Sequence, residues 1–286
     1  MVNFTLSDYR RAIKGGDEMK KCFISFVFLF LIVFFSSAEA SEITGVHVVE
    51  KNDTLFGIAF RYNLSIKELM EMNQIKERDV IIGQVLNISQ TTQLKGKKIV
   101  LDPGHGGIET GAEHNGLIEK DETLEVSLKT KRLLEAEGAQ VILTLDENFQ
   151  DFKTLPLAER AKKANQAGAD LFISIHFNAN SYTSVHGTET YYNKNEYKGT
   201  SNPYPNESKE LAKSIQQSIV NEAHTKDLGV KENVFHVLRN NAVPSALVEV
   251  GFVTNKDEVK RIQTNEFKEK IALGISKGVV DYIHNR

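Results

Sequence analysis

The sequence predicts an α/β protein: a mostly parallel, twisted sheet flanked by helices, preceded by a small βααβ domain. Three observations carry this. From residue 97 onward, short apolar runs alternate with segments of helical periodicity, the pattern of a sheet covered on both faces. One run, Asp170–His176, is almost continuously apolar, as a strand buried on both sides should be. Upstream, residues 45–89 hold two short helical patterns between two short strand patterns. The length, 286 residues with 41% hydrophobic and 26% charged, suits about two globular domains.

The N-terminal segment is read as an address. Met19-Lys20-Lys21 precedes a Phe-rich apolar run from Phe23 to Phe35, and Ser36-Ser37 lead to Ala38-Glu39-Ala40. A basic start, a short apolar centre and an A-x-A end predict a signal peptide over 19–40, cleaved after Ala40. As a helix the run spans about 20 Å, short of the roughly 30 Å hydrocarbon core, so no stable membrane insertion is expected after cleavage. Residues 1–18 fit no targeting pattern. Lys14-Gly15-Gly16-Asp17-Glu18 back-translates to AAAGGAGGTGATGAA, which contains a ribosome-binding sequence. Met19 is therefore the expected initiator and 1–18 a non-native extension. Cys22 is the single cysteine, which excludes a disulfide framework and leaves the processed chain cysteine-free. The net charge of −3 excludes the basic excess that a nucleic-acid backbone requires.

The small domain opens with a strand pattern at Val46-His47-Val48-Val49. Asp53-Thr54 caps a helix carrying Leu55, Ile58, Ala59 and Tyr62, and Ser65-Ile66-Lys67-Glu68 is a capping box for a second helix. Ile81-Ile82-Gly83-Gln84 turns into a closing strand, Val85–Ile88. From the residues alone this is a thin-cored module, and a structural spacer is an open reading. Asp53–Ala59, Asn63, Leu69, Asn73 and Ile82–Ile88 resemble a LysM module, spanning 45–89. The resemblance implies binding of N-acetylglucosamine-containing glycans, hence peptidoglycan. It implies a groove at two loops, with Asp53, Thr54, Leu55, Phe56, Gln74 and Ile82 as substrate-binding residues. Residues 90–96 form a short polar linker without proline, so the next domain should sit close by.

In the large domain, residues 97–286, Lys98–Leu101 reads as a strand ending in Asp102-Pro103-Gly104-His105-Gly106-Gly107. Helices are expected over 121–137, ending at Gly138, and over 157–167, 207–223 and 266–284. Strands are expected over 140–145, 170–176, 187–193, 234–238 and 246–250. Reactive groups in such sheets collect beyond the carboxyl ends of the strands. Three strand ends carry capable residues: His105, His176 and Glu249. Their spacing alone does not pair them, and from the residues alone capped core histidines with a structural carboxylate stand ahead of a metal or acid/base site. The low cysteine count directs any metal toward imidazole and carboxylate ligands.

The stretches 102–107, Gly116-Leu117-Ile118-Glu119-Lys120-Asp121, Ser174–Asn180, Gly187–Tyr192 and Val248-Glu249-Val250-Gly251-Phe252 resemble, in order, the zinc N-acetylmuramoyl-L-alanine amidases of the Amidase_3 family. The resemblance implies one Zn2+ held by His105, Glu119 and His176, with Glu249 catalytic. It implies hydrolysis of the amide joining muramic acid to L-alanine of the stem peptide. Glu113, Glu122 and Glu125 lie near Glu119 and compete for the same role. Asp102 is expected to shape the loop and Arg160 to serve as a structural ion-pair partner, while His186 is a possible second histidine of the cleft. His47, His114, His224 and His284 have no motif support and are expected at the surface.

The whole then reads as a secreted, wall-associated, monomeric amidase held on peptidoglycan by its LysM module. A catalytically silent peptidoglycan-binding regulator and an exported metallopeptidase cutting within the stem peptide are the alternatives. Possession of all four site residues speaks against the first, and product analysis separates the second.

Overall fold

The computed structural model describes residues 41–285 except 63, 77–79 and 146–153. The expected signal peptide and N-terminal extension lie outside the described residues. Among these, no helix is long and apolar enough to cross a membrane.

The small domain is β1 (Ser41–Val48), α1 (Leu55–Arg61), α2 (Ile66–Asn73) and β2 (Val85–Thr92), with β1 and β2 antiparallel. Thr54 caps α1 by accepting from Gly57 N, and Ser65 and Glu68 close the capping box of α2. Leu55, Ile58, Ala59, Leu69, Leu86 and Ile88 form its core. His47, expected at the surface, is instead buried. Its Nδ1 lies 3.0 Å from the Tyr62 hydroxyl and its Nε2 2.8 Å from Asp53 Oδ2. A core this thin has room for a polar group because Asp53 and Tyr62 satisfy both ring nitrogens.

The connecting segment is not a free tether. Leu94 is buried in the core of the large domain, and its N–H donates to the Glu137 carbonyl at 2.8 Å. The large domain then runs β3 (Lys98–Pro103), β4 (Glu113–His114), β5 (Leu117–Ile118), α3 (Glu119–Ala136), β6 (Gln140–Leu143), α4 (Leu157–Ala167), β7 (Leu171–Asn178), β8 (Thr188–Tyr192), α5 (Pro205–Ala223), β9 (Asp227–Glu232), α6 (His236–Arg239), β10 (Ser245–Phe252), α7 (Lys256–Ile262) and α8 (Asn265–His284). The sheet order is β6-β3-β7-β10-β8-β9. The first four strands are parallel; β8 runs antiparallel to β10 and parallel to β9.

Alternation along the central strands divides the core between two faces. Ile99, Leu101, Ile173, Ile175 and Val248 pack with Val126 and Leu134 of α3, Ile215 of α5 and Ile275 of α8. Val100, Phe172 and Leu247 point the other way, onto Ala164 of α4 and Val237 and Leu238 of α6. At about 25 cal/mol per Å² of apolar surface removed from water, this two-sided burial is the main stabilising term.

One expected element is corrected. The strand read over 234–238 is not formed; the edge strand is β9, upstream, and 236–239 make the short helix α6. Asn233 N–H makes the last bond across to the Tyr192 carbonyl, and the Asn233 side chain then accepts from Val234 N–H. Val237 and Leu238 are both buried, on the helical turn that packs against the Val100–Phe172 face of the sheet.

Candidate active site

The parallel order of β3, β7 and β10 brings their carboxyl ends together. Glu249 of β10 lies directly opposite His176 on β7 and Glu189 on β8, so the three side chains stand in a row on one face. His105 follows β3 in a loop that bends sharply, with φ of 61° at His105 itself. That left-handed conformation is unfavourable for a residue with a Cβ and must be held from outside. Arg160, fully buried on α4, holds it: Nη2 donates to the His105 carbonyl, Nη1 donates to the Pro103 carbonyl at 2.6 Å, and Nε donates to the Leu155 carbonyl at 3.2 Å. Arg160 Nη1 also pairs with buried Asp102 at 3.0 Å. Asp102 is completed by hydroxyls of Thr144 at 2.5 Å and Ser174 at 2.8 Å. Asp102 and Arg160 thus have the loop-shaping and ion-pair roles expected of them.

The hairpin β4–β5 delivers Glu119 as the first residue of α3, at the positive end of the helix dipole. Its Oε1 accepts from Phe177 N–H at 3.0 Å and lies 3.0 Å from His176 Nδ1. Its Oε2 accepts from Ala112 N–H at 2.9 Å and lies 3.1 Å from His105 Nε2. Burial pushes this carboxyl up, but hydrogen bonds from His105 and His176 outweigh it and hold the group well below the usual carboxylate range. Burial likewise pulls His105 down, but Glu119 and Glu109, whose Oε1 lies 3.1 Å from His105 Nδ1, raise it on balance. Of the competing acids, exposed Glu113 sits on β4, while Glu122 and Glu125 pair with Lys268 of α8. None of these three joins the cluster.

One donor atom each from His105, Glu119 and His176 lies within 4.8 Å of the others, a set able to hold a metal ion. Two imidazoles and one carboxylate suit a zinc site with a position left open. The surrounding backbone is shaped to the cluster. A Cβ on Gly104 would stand 2.5 Å from the His176 ring, and one on Gly111, at φ of 72°, would stand 2.5 Å from the His105 ring and 2.6 Å from Glu119 Oε2. Gly104→Ala is expected to lower metal affinity about 10–100-fold by turning the His176 ring, as loss of an orienting contact does. Calorimetric metal titration of the folded variant checks this.

Glu249 is only partly exposed. Its Oε2 is shielded from solvent and accepts no hydrogen bond from the described residues. Burial first, then the charges of Glu119 and Glu189, push its pKa well above the ordinary value. Glu189 is buried but satisfied by Asn178 Nδ2 at 2.8 Å, the Tyr191 hydroxyl at 2.6 Å and Lys231. A carboxyl whose pKa is raised, on the strand position opposite a possible metal ligand, is able to exchange protons there.

The four residues share a cleft of about 290 Å³ with Phe235 and His236. Burial, first, and the Arg239 charge depress the His236 pKa below its ordinary value. His236 was not legible as a site residue, because its segment reads as a strand; Glu189 lies in the 187–192 stretch but carries no spacing signal of its own. His186 does not line this cleft. It is exposed, with Nδ1 3.0 Å from the Ser184 carbonyl.

In the small domain, Asp53 accepts from Glu50 N–H and pairs with His47 and Arg61, Thr54 is occupied as the helix cap, and Leu55 is core. Ile82 is exposed on its loop, and Phe56 and Gln74 line a separate cleft with α5 and α8.

Comparison with known proteins places this geometry. Residues 99–281 match the Amidase_3 family, N-acetylmuramoyl-L-alanine amidase, and residues 47–89 match the LysM domain. An uncharacterized protein of Bacillus subtilis, YqiI, is 39% identical over 207 residues, covering 71% of this chain and 94% of that one. The N-acetylmuramoyl-L-alanine amidase LytC of the same organism is 38% identical over 210 residues, 71% of this chain but only 40% of that longer protein. A crystal structure of an N-acetylmuramoyl-L-alanine amidase from Clostridium difficile superposes with a TM-score of 0.59 at 33% identity, covering 66% of this chain and 98% of that one.

Proposed function

This chain belongs to the N-acetylmuramoyl-L-alanine amidase family and carries a LysM domain, and from that premise we propose a secreted, zinc-dependent hydrolase of the muramic acid–L-alanine amide. The observation that carries the reading is the convergence of His105, Glu119 and His176 beside Glu249, whose buried Oε2 has no partner among the described residues. The three would hold one Zn2+. When bound, the ion supplies Lewis-acid polarisation of the scissile carbonyl and of water. Glu249 takes a proton from the attacking water on its carboxylate and returns it to the departing alanine nitrogen, so no free amide anion forms. Glu119 touches both imidazoles and the Arg160-held loop fixes His105, while Phe235 and Val237 give the cleft an apolar wall.

The remaining expectations belong to the same reading. Residues 19–40 direct export and are cleaved after Ala40. The LysM domain binds peptidoglycan through the loops bearing Asp53–Phe56, Gln74 and Ile82, and the mature protein works as a wall-associated monomer.

The test is digestion of purified insoluble peptidoglycan with end-group analysis, with and without chelator and after zinc is restored. New N-terminal L-alanine, lost on chelation and recovered with zinc, is the expected result. A different new terminus would move the cut into the stem peptide, and no new terminus would leave a silent binder.

Metal affinity should weaken as the pH falls. The raised pKa of His105 means that metal must displace a proton once pH falls below it. Apparent zinc affinity is therefore expected to fall by at least about tenfold per pH unit on the acid side and to level off above. Competition with a chromophoric chelator across pH measures it; a flat profile between pH 5 and 8 would contradict it.

A further inference from the structure

Phe60 of α1 does not face the core of its own domain. It is buried against Leu133 of α3 and Ala272 and Leu273 of α8. Around it, Lys277 of α8 reaches Glu68 of α2 at 3.5 Å and Glu222 of α5 at 3.2 Å, and Lys270 of α8 stands 5.7 Å from the centre of the Phe56 ring. An apolar anchor with ion pairs at its rim fixes how the small domain meets α5 and α8. Beside these contacts the two domains leave a cleft of about 830 Å³.

The cleft has a wall from each domain. Phe56, Met70, Gln74 and Ile75 belong to the LysM side, and Asn221 and His224 at the end of α5 to the catalytic side. Apolar surfaces flanked by side-chain amides and an imidazole suit a pyranose chain. Phe56, Met70 and Ile75 offer apolar surface for the C–H faces of such a chain, and Gln74, Asn221 and His224 offer polar groups for its hydroxyl and acetamido groups. No arginine lines it, and of its four lysines Lys67, Lys270 and Lys277 lie against Glu71, Glu266 and Glu222, so most of its positive charge is already paired within the protein.

We infer that this cleft binds a glycan segment of peptidoglycan, a chain of β-linked N-acetylhexosamines, and that the catalytic domain supplies one of its two walls. The inference rests on the peptidoglycan reading above and adds to it a sugar-binding surface outside the LysM domain. Because Phe60 and Lys277 clamp the two walls, the strand is gripped in one orientation relative to the zinc cleft. A fixed second hold on one polymer raises the local concentration of the catalytic groups without new chemistry.

The test is calorimetric titration of the purified chain with a β-1,4-linked N-acetylglucosamine hexamer. Asn221→Trp, which fills the cleft from an exposed position on α5, is expected to weaken binding at least about tenfold, and Asn221→Ala/His224→Ala several-fold, with melting temperatures verifying the folds. Phe56→Ala should weaken it as well. Hexamer binding unchanged in both catalytic-wall variants would overturn the proposal, assigning the sugar to the LysM loops alone. Failure of the unmodified chain to bind the hexamer would overturn it too. Release of peptide from a soluble muramyl peptide by the unmodified chain, measured in parallel, tests the hydrolase reading on its own.

Discussion

Glu249→Gln is expected to lower hydrolysis about 10³-fold while raising the melting temperature of the metal-free protein. The rate loss is that of a general base and acid removed from a proton transfer, which contributes about 10²–10⁴-fold. The gain in stability has a separate origin. Glu119 is surrounded by four donors and Glu189 by three partners, but Glu249 Oε2 has none, and both neighbouring acids repel its charge. Ionising it in the fold costs on the order of 1–3 kcal/mol, the range for a buried polar group left unpaired. A carboxyl raised above its ordinary 4.5 leaves stability intact below that value and lowers it as pH rises through the folded pKa. Glutamine has no such term. The stability advantage of the variant should therefore be small at pH 4 and grow toward pH 8, read by thermal melts in chelator. An advantage that shrinks with rising pH would contradict the assignment of Glu249 as the strained group.

Arg160→Leu is expected to destabilise the fold by about 3–5 kcal/mol, the cost of leaving a buried partner charge uncompensated. At about 2–4 °C per kcal/mol for a domain of this size, the melting temperature should drop by roughly 6–20 °C. Asp102 would keep only the Thr144 and Ser174 hydroxyls, and the carbonyls of Pro103 and His105 would lose their donor. The His105 loop, held at positive φ, would relax, and metal affinity would fall with it. Adding Asp102→Asn to Arg160→Leu should recover part of the stability but none of the metal affinity, because the His105 carbonyl still lacks its guanidinium. Melting temperature and zinc titration on both variants distinguish the two effects. Recovery of both together would mean that Arg160 serves the ion pair alone.

The elements were legible where one period dominated. The helix over 157–167 has the observed ends, and the helices over 207–223 and 266–284 begin within two residues of theirs, because their apolar stripes are long and their ends carry capping signals. Residues 234–238 failed because two adjacent buried aliphatics fit a strand and a helical turn equally over so short a span, and the decision lay with Asn233 and the core beneath α6. His47 failed because its partners, Asp53 and Tyr62, are brought to it only by folding.

The chemistry of the candidate site was legible through family resemblance in residue types and order, and not from spacing. His105, Glu119, His176 and Glu249 lie far apart along the chain, so nothing local relates them. The amino-acid sequence by itself determined the α/β alternation, the cap residues and which side chains could carry charge. Only the tertiary structure decided that β3, β7 and β10 end side by side, that Arg160 holds the His105 loop, that Glu249 Oε2 lacks a partner among the described residues, and that Phe60 clamps one domain to the other. The physical reason is range: propensity and periodicity act within a few residues, whereas burial, charge pairing and desolvation depend on whichever distant groups the fold makes neighbours.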